Sequence, residues 1–240
     1  MGDATNPNVA LFQCSTKDNP FLPPDFYDSL LLQYGKGEGG MLRAMQELEG
    51  KFVCVEGAEW GPENFTDRVW CEEWPVDDQA LKTVMLDSSK GIGGKTGDYS
   101  CFTKLMYSRG KLWVEFDMDN ARNASGMTAR AIEIQQEFKS DWFGVEAEFG
   151  GNVMVDDLTN RAEAAGILMP LVLVPTNGVQ KEVRIRKLTP YLTQDMIRFK
   201  NTEQTKIGVT QMESFPHAQH DDAPDSLEGA VRILNESGAI

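Results

Sequence analysis

Four acidic side chains at three separated places are the residues of this sequence best suited to chemistry. Asp87 closes "TVMLD", Glu146 lies in "WFGVEAE", and Asp221 and Asp222 are paired in "QHDDAPDS". Each stands where a strand ends or a helix begins, and in an open α/β sheet such positions can converge over the strand ends. Carboxylates a few Å apart repel one another unless hard divalent cations share them. Mg²⁺ or Mn²⁺ brings positive charge, oxygen coordination and an activated water. The chemistry to expect is metal-assisted hydrolysis of a phosphodiester.

Asp87 follows the apolar run Val84, Met85, Leu86 and precedes small residues, so its carboxylate can sit at an exposed strand end; the plainer alternative is an aspartate closing a strand in a turn. Glu146 interrupts an apolar strand pattern, where an unpartnered carboxylate is costly to bury. Glu148 shares its face by period-two alternation, although Phe149, Gly150 and Gly151 already signal the strand's end and favour Glu146. Asp221 and Asp222 precede Pro224 and the helical run "DSLEGAVRIL"; adjacent side chains diverge, so one can bind a cation while the other caps the helix or meets a second cation. His220 can orient a water or ligate, or be a surface imidazole.

The elements that must position these residues follow from periodicity. "LKTVMLDSS", "SCFTKLMYS" and "GKLWVEFDMD" read as three neighbouring strands with short connections, hence antiparallel. "ASGMTARAIEIQQEFKS" reads as a helix with Ser125 at its start, followed by the strand "DWFGVEA". A helix in "GNVMVDDLTNRAEAAG", a strand in "ILMPLVLVP", a helix over "NGVQKEVRIRKLTPYLTQ", a short strand "DMIRF" and two closing helices complete the order. That order predicts a mixed α/β sheet of ribonuclease H-like type, flanked by helices, over residues 79–240. Ahead of it, helices in "PDFYDSLLLQYG" and "EGGMLRAMQELEG" make residues 1–50 a small helical appendage. Residues 51–78, rich in acids, turns and aromatics, read as a connector whose tryptophans either dock elsewhere or are buried.

The formal charge of −14, from 37 acidic and 23 basic side chains, argues against a general nucleic-acid coat. Lys181, Arg184, Arg186 and Lys187 nevertheless cluster in "QKEVRIRKLTPYL", a patch able to meet a phosphate backbone or simply a solvated helix end. Four cysteines without a C-x-x-C pair suggest reduced thiols, and the sequence offers neither a basic-then-apolar leader nor a long apolar run; secretion and membrane insertion are not expected. "SKGIGGKT" nearly matches a phosphate-binding loop but has Ser89 for its first glycine and runs toward a strand rather than a helix. ATP binding through Gly94, Lys95 and Thr96 therefore ranks last. Lys95 beside a DNA phosphate, with Asp98 steadying the turn, suits the pattern better.

With these residues in view, the chain resembles the C-terminal nuclease part of the tailed-phage terminase large subunit. "MLDSSKGIGGKTGDYS" is similar to the family's first acidic motif, "FGVEAEFGG" to its second and "FPHAQHDDAPDSLEGA" to its last; "KDNPFLPPDFYDSL" and "MLRAMQELEGKFV" are similar to the end of the ATPase part and the linker. The resemblance implies a two-metal endonuclease cutting double-stranded DNA during phage genome packaging. It places two Mg²⁺ or Mn²⁺ ions on Asp87, Glu146, Asp222 and Asp221, with Asp87 bridging and Glu146 and Asp222 holding one ion each. It further implies an ATPase part, a small terminase subunit and a portal as partners, in the host cytoplasm at the procapsid. No Walker-bearing domain precedes residue 20, so translocation is not assigned to these residues. Two other functions remain in view: a resolvase-like nuclease preferring branched DNA, and a noncatalytic packaging adaptor using the acidic surface.

Overall fold

The computed structural model describes residues 14–23, 25–34, 48, 57–87, 99–120, 123–147, 151–176 and 178–240. The expected helix over "EGGMLRAMQELEG" lies outside them apart from Leu48, and so do Lys95, Asp98 and Glu148 and the whole near-match loop. By compactness the chain divides into two units, Met1–Ala58 with His217–Gln219, and Glu59–Pro216 with His220–Ile240. In the first, Ser15 caps a short 3-10 turn at Thr16–Asp18, and helix α1 (Phe26–Tyr34) packs Tyr27 with Leu48.

The second unit is built on seven strands: β1 (Trp70–Cys71), β2 (Leu81–Asp87), β3 (Ser100–Ser108), β4 (Lys111–Asp119), β5 (Trp142–Glu146), β6 (Leu171–Val174) and β7 (Ile197–Lys200). Their order in one sheet is β1-β7-β4-β3-β2-β5-β6. β2, β3 and β4 form the expected antiparallel meander, while β5 and β6 add in parallel on one side and β7 and β1 on the other. Parallel neighbours require crossovers, supplied here by helices α2 (Ala124–Phe138), α3 (Gly151–Ala165), α4 (Lys181–Ile185) and α5 (Thr189–Thr193), whereas α6 (Glu203–Glu213) and α7 (Asp222–Glu236) follow the last strand and pack on the sheet.

Alternation along the strands divides the interior into two layers. Val84, Leu86, Phe102, Phe143 and Val145 face one way and pack with Ala131 and Ile134 of α2 and Leu158 of α3. Met85, Cys101, Leu105, Val114, Phe116 and Phe199 face the other, against Val209 and Met212 of α6 and Leu227, Ala230 and Ile233 of α7. The antiparallel meander extended by parallel strands and covered on both faces is the ribonuclease H-like α/β fold.

Two local expectations change. α2 begins at Ala124, ahead of Ser125: the Asn123 side chain accepts from the Gly126 N–H at 2.8 Å, a better N-cap than a serine inside the first turn. The single helix expected across residues 177–194 is instead α4, a 3-10 turn at Arg186–Leu188 and α5. Pro190 has no N–H to continue the ladder and crowds the preceding turn, so the helix restarts there. Within residues 51–78, Trp60 is buried, stacks on Phe215 with centroids 5.3 Å apart, and donates its indole N–H to Thr189 Oγ1 at 2.9 Å. Trp70 and Cys71 enter the sheet as β1.

Candidate functional site

β2 and β5 run parallel with Leu86 opposite Val145, so Asp87 and Glu146 stand side by side one step further on, at the C-terminal ends of adjacent strands. Asp87 lies on the face of Met85, and Glu146 on the face of Gly144, two residues before each. That face is covered by α7. Asp222, Asp225, Ser226, Gly229 and Ile233 recur along α7 at spacings of three and four and turn toward the sheet. Ser226 Oγ donates to the Met85 carbonyl at 3.0 Å and accepts from Thr103 Oγ1 at 2.8 Å, and an added Cβ at Gly229 would come within 2.9 Å of Met85 Cγ. These contacts fix the height of α7 over β2 and β3, and its first turn then delivers carboxylates to the strand ends.

Burial pushes the Asp87 carboxyl well above its ordinary range. Asp225, Asp222 and Glu146 push in the same direction, and Lys181 opposes them. These neighbours show which of the expected residues gather: Asp87, Glu146 and Asp222 share one field. Asp222 is buried and accepts from the Tyr99 backbone N–H at 3.3 Å. Asp221, half-buried, turns aside to pair with Lys181 at 2.7 Å, consistent with the divergence of adjacent side chains. His220 packs edge-on against Tyr99 with centroids 5.4 Å apart.

Asp225 is the acidic residue that the sequence reading missed. It is 7% exposed, contributes the largest like-charge repulsion on Asp87, and is met by Lys181 at 3.3 Å and Arg184 at 2.9 Å. Its signal was the spacing Asp222-x-x-Asp225, which places both carboxylates on one side of the helix's first turn.

The basic cluster divides. Arg184, read as a phosphate contact, is 6% exposed and enclosed by Asp225 and by Glu228 at 3.3 Å. Burial works against its charge, yet those two acids hold its pKa above the ordinary value, so it serves the interior of the site rather than an external phosphate. Glu228 is itself 2% exposed; burial raises its carboxyl against the pull of Arg232 and Arg184. Lys181 is half-buried among the acids. Arg186 is exposed and pairs with Glu59 at 2.9 Å, and Lys187 is exposed.

The donor set suits a hard divalent cation. It consists of carboxylate oxygens, and Asp225 Oδ1 is buried with an ion pair to Arg184 but no aligned hydrogen bond. Among the described residues no three acidic, histidine or cysteine side chains close around a common point, and Lys181 stands among the acids. Also among the described residues, no helix is long and apolar enough to cross a membrane.

Sheet order, crossovers and carboxylates at the ends of β2 and β5 and the start of α7 define a protein of the ribonuclease H-like class. Solved structures similar to it include the large terminase nuclease of thermophilic phage G20c with bound zinc, at 18% identity over 65% of this chain and 82% of that one, TM-score 0.49. The human cytomegalovirus terminase nuclease domain, manganese-soaked and inhibitor-bound, matches at 12% identity over 68% and 87%, TM-score 0.47. The large terminase of bacteriophage HK97 matches at 11% identity over 67% of this chain and 41% of its own length, TM-score 0.48. No family model matches the sequence, and no curated protein matches it.

Proposed function

We propose that this chain is a metal-dependent endonuclease that hydrolyses phosphodiester bonds of double-stranded DNA, acting as the nuclease of a terminase large subunit in viral genome packaging. The observation that carries the reading is the crowding of Asp87 by Asp225, Asp222 and Glu146 at the ends of β2 and β5, an arrangement that raises its carboxyl and is relieved by bound cations. Two Mg²⁺ or Mn²⁺ ions are the proposed cofactors; bound there, they supply Lewis acidity and a water of lowered pKa.

The chain's own residues do the positioning. Asp87, fixed in the sheet opposite Cys101, presents its carboxylate centrally, with Glu146 to one side on β5 and Asp222 and Asp225 above on α7. Asp221 is an outer member of the set through Lys181. Arg184 and Glu228 hold α4 against α7 and keep the carboxylates at their mutual height. The exposed Arg186 and Lys187 are the proposed contacts for flanking phosphates. An ATPase part, a small terminase subunit and a portal are the proposed partners, and the procapsid in the host cytoplasm the proposed place of action.

Cleavage of supercoiled and linear duplex DNA with Mn²⁺, Mg²⁺ or chelator, for the wild type and Asp87→Asn, tests this. Metal-dependent cutting that disappears in a folded Asp87→Asn protein is expected. Equal cutting by that variant would remove Asp87 from the site, and no cutting by folded wild type with either metal would turn the reading toward the adaptor.

A further inference from the structure

The acidic site contains a cation of its own. Lys181 Nζ lies 2.7 Å from Asp221 Oδ1 and 3.3 Å from Asp225 Oδ2, so one ammonium bridges two carboxylates a turn apart at the start of α7. Its surroundings differ from those of Arg184, one turn along the same short helix. The Arg184 side chain is 7% exposed, and its guanidinium forks between Asp225 and Glu228, whereas the Lys181 side chain is 34% exposed and reaches the acids from the solvent side. A guanidinium held at several points is not easily withdrawn. An ammonium on a flexible four-carbon stem, with a strong affinity for water, leaves at far smaller cost when a way out is open.

We propose that Lys181 is the resident counter-cation of the carboxylate cluster, occupying by charge the place of a divalent ion and being displaced toward solvent when that ion binds. The inference rests on the nuclease reading above and deepens it. A single positive charge suffices to hold Asp221 and Asp225 together in the cation-free protein. A divalent ion offers twice that charge and more oxygen coordination to the same carboxylates, so the two compete for Asp225. Arg184 keeps α4 docked throughout, and only the lysine side chain changes partner. The released ammonium is then free to solvent, so cation loading adds a positive charge to the α4 region, where Arg186 and Lys187 are exposed.

Two measurements on the full chain test this, neither of them activity. In calorimetric titration with Mn²⁺ at fixed pH and ionic strength, folded Lys181→Met is expected to bind about tenfold more tightly than wild type, because no ammonium competes for the carboxylates. In the wild type, acylation of Lys181 by a small amine-reactive ester, followed by mass spectrometry, is expected to run severalfold faster at saturating Mn²⁺ than in chelator. Equal or weaker Mn²⁺ affinity in the variant, or Lys181 labelling that is unchanged or slowed by Mn²⁺, overturns the proposal. Should Lys181→Met fail to fold, the labelling of the wild type decides. Uptake by the variant alone supports the competition. Uptake by neither protein removes the nuclease reading as well, whereas wild-type uptake with no gain in the variant removes only the role given to Lys181.

Discussion

At the scale of single residues, the site is a place where the fold holds like charges together at a cost to stability. Folding sets the half-buried Asp87 beside Asp225, Asp222 and Glu146 and withdraws its carboxyl from water, so that group binds a proton more tightly in the folded chain than in the unfolded one. Between the ordinary aspartate value of 3.8 and the raised folded value, the native state therefore carries the extra proton, and the free energy of unfolding falls as pH climbs through that window. Asp87→Asn removes the titration. In chelator the variant is expected to melt above the wild type at neutral pH, the gap narrowing as pH drops toward 4. Thermal melts at a series of pH values check this, and a wild type that melts higher throughout would contradict it. Asp87 and Glu146 were legible in the sequence because each stands at the end of an apolar strand pattern, and Asp222 because it stands just ahead of Pro224 and a helical run. Asp225 was not, because inside the run "DSLEGAVRIL" it reads as one more polar residue of an amphipathic helix; only the orientation of α7 over the sheet shows that its side chain turns inward. For the same reason Arg184 looked like part of a basic surface, since a charge run carries no sign of which members have buried acids opposite them.

At the scale of elements, the placement of α7 decides whether the acids meet. Two devices set it. Gly229 lets the helix come close to β2, and a Cβ there would meet Met85 Cγ at 2.9 Å and Cε at 3.1 Å. Gly229→Val is expected to lift the helix and to cost about 1–3 kcal/mol from overpacking, read as a lower denaturation midpoint together with weaker Mn²⁺ uptake. The second device is the buried clamp from Arg184 of α4 to Asp225 and Glu228 of α7. Arg184→Ala removes the buried cation between Asp225 and Glu228, leaving them to Lys181 and Arg232, and is expected to destabilise the chain by about 3 kcal/mol in denaturant titration. A stable Arg184→Ala protein with weakened DNA binding would instead restore the phosphate role. Strands β2 to β7 were legible because alternation across a two-faced sheet leaves a clear mark, as in β3, where Cys101 and Phe102 enter opposite layers, whereas the two-residue β1 was too short to leave one. The break between α4 and α5 was less so: the apolar spacing of Ile185, Leu188 and Leu192 continues through it, and Pro190 alone marks the interruption.

At the scale of the whole molecule, the proposed function brings a chain of net charge −14 to an anionic polymer, so on that reading long-range electrostatics oppose the encounter and only local cations favour it. The proposed divalent ions would reduce the repulsion and also stabilise the fold by mass action, about 2.7 kcal/mol for one site at a hundred times its dissociation constant. Of the basic residues of the α4 region, Arg184 is engaged inside, whereas Arg186 and Lys187 are exposed, the former against Glu59 at the surface. Each phosphate neutralised releases condensed counterions and adds about 0.9 to the slope of log affinity against log salt. With Ca²⁺ in place of Mn²⁺ to favour binding without cutting, DNA affinity is expected to be weak and to fall with salt at a slope reflecting few contacts. The double variant Arg186→Ala with Lys187→Ala should flatten that slope by about 2, affecting duplexes of different sequence alike, because phosphate contacts carry no base information. An unchanged slope in the double variant would place the DNA on another face of the sheet. A steep slope in the wild type would require more cations than these two and a released Lys181 together provide.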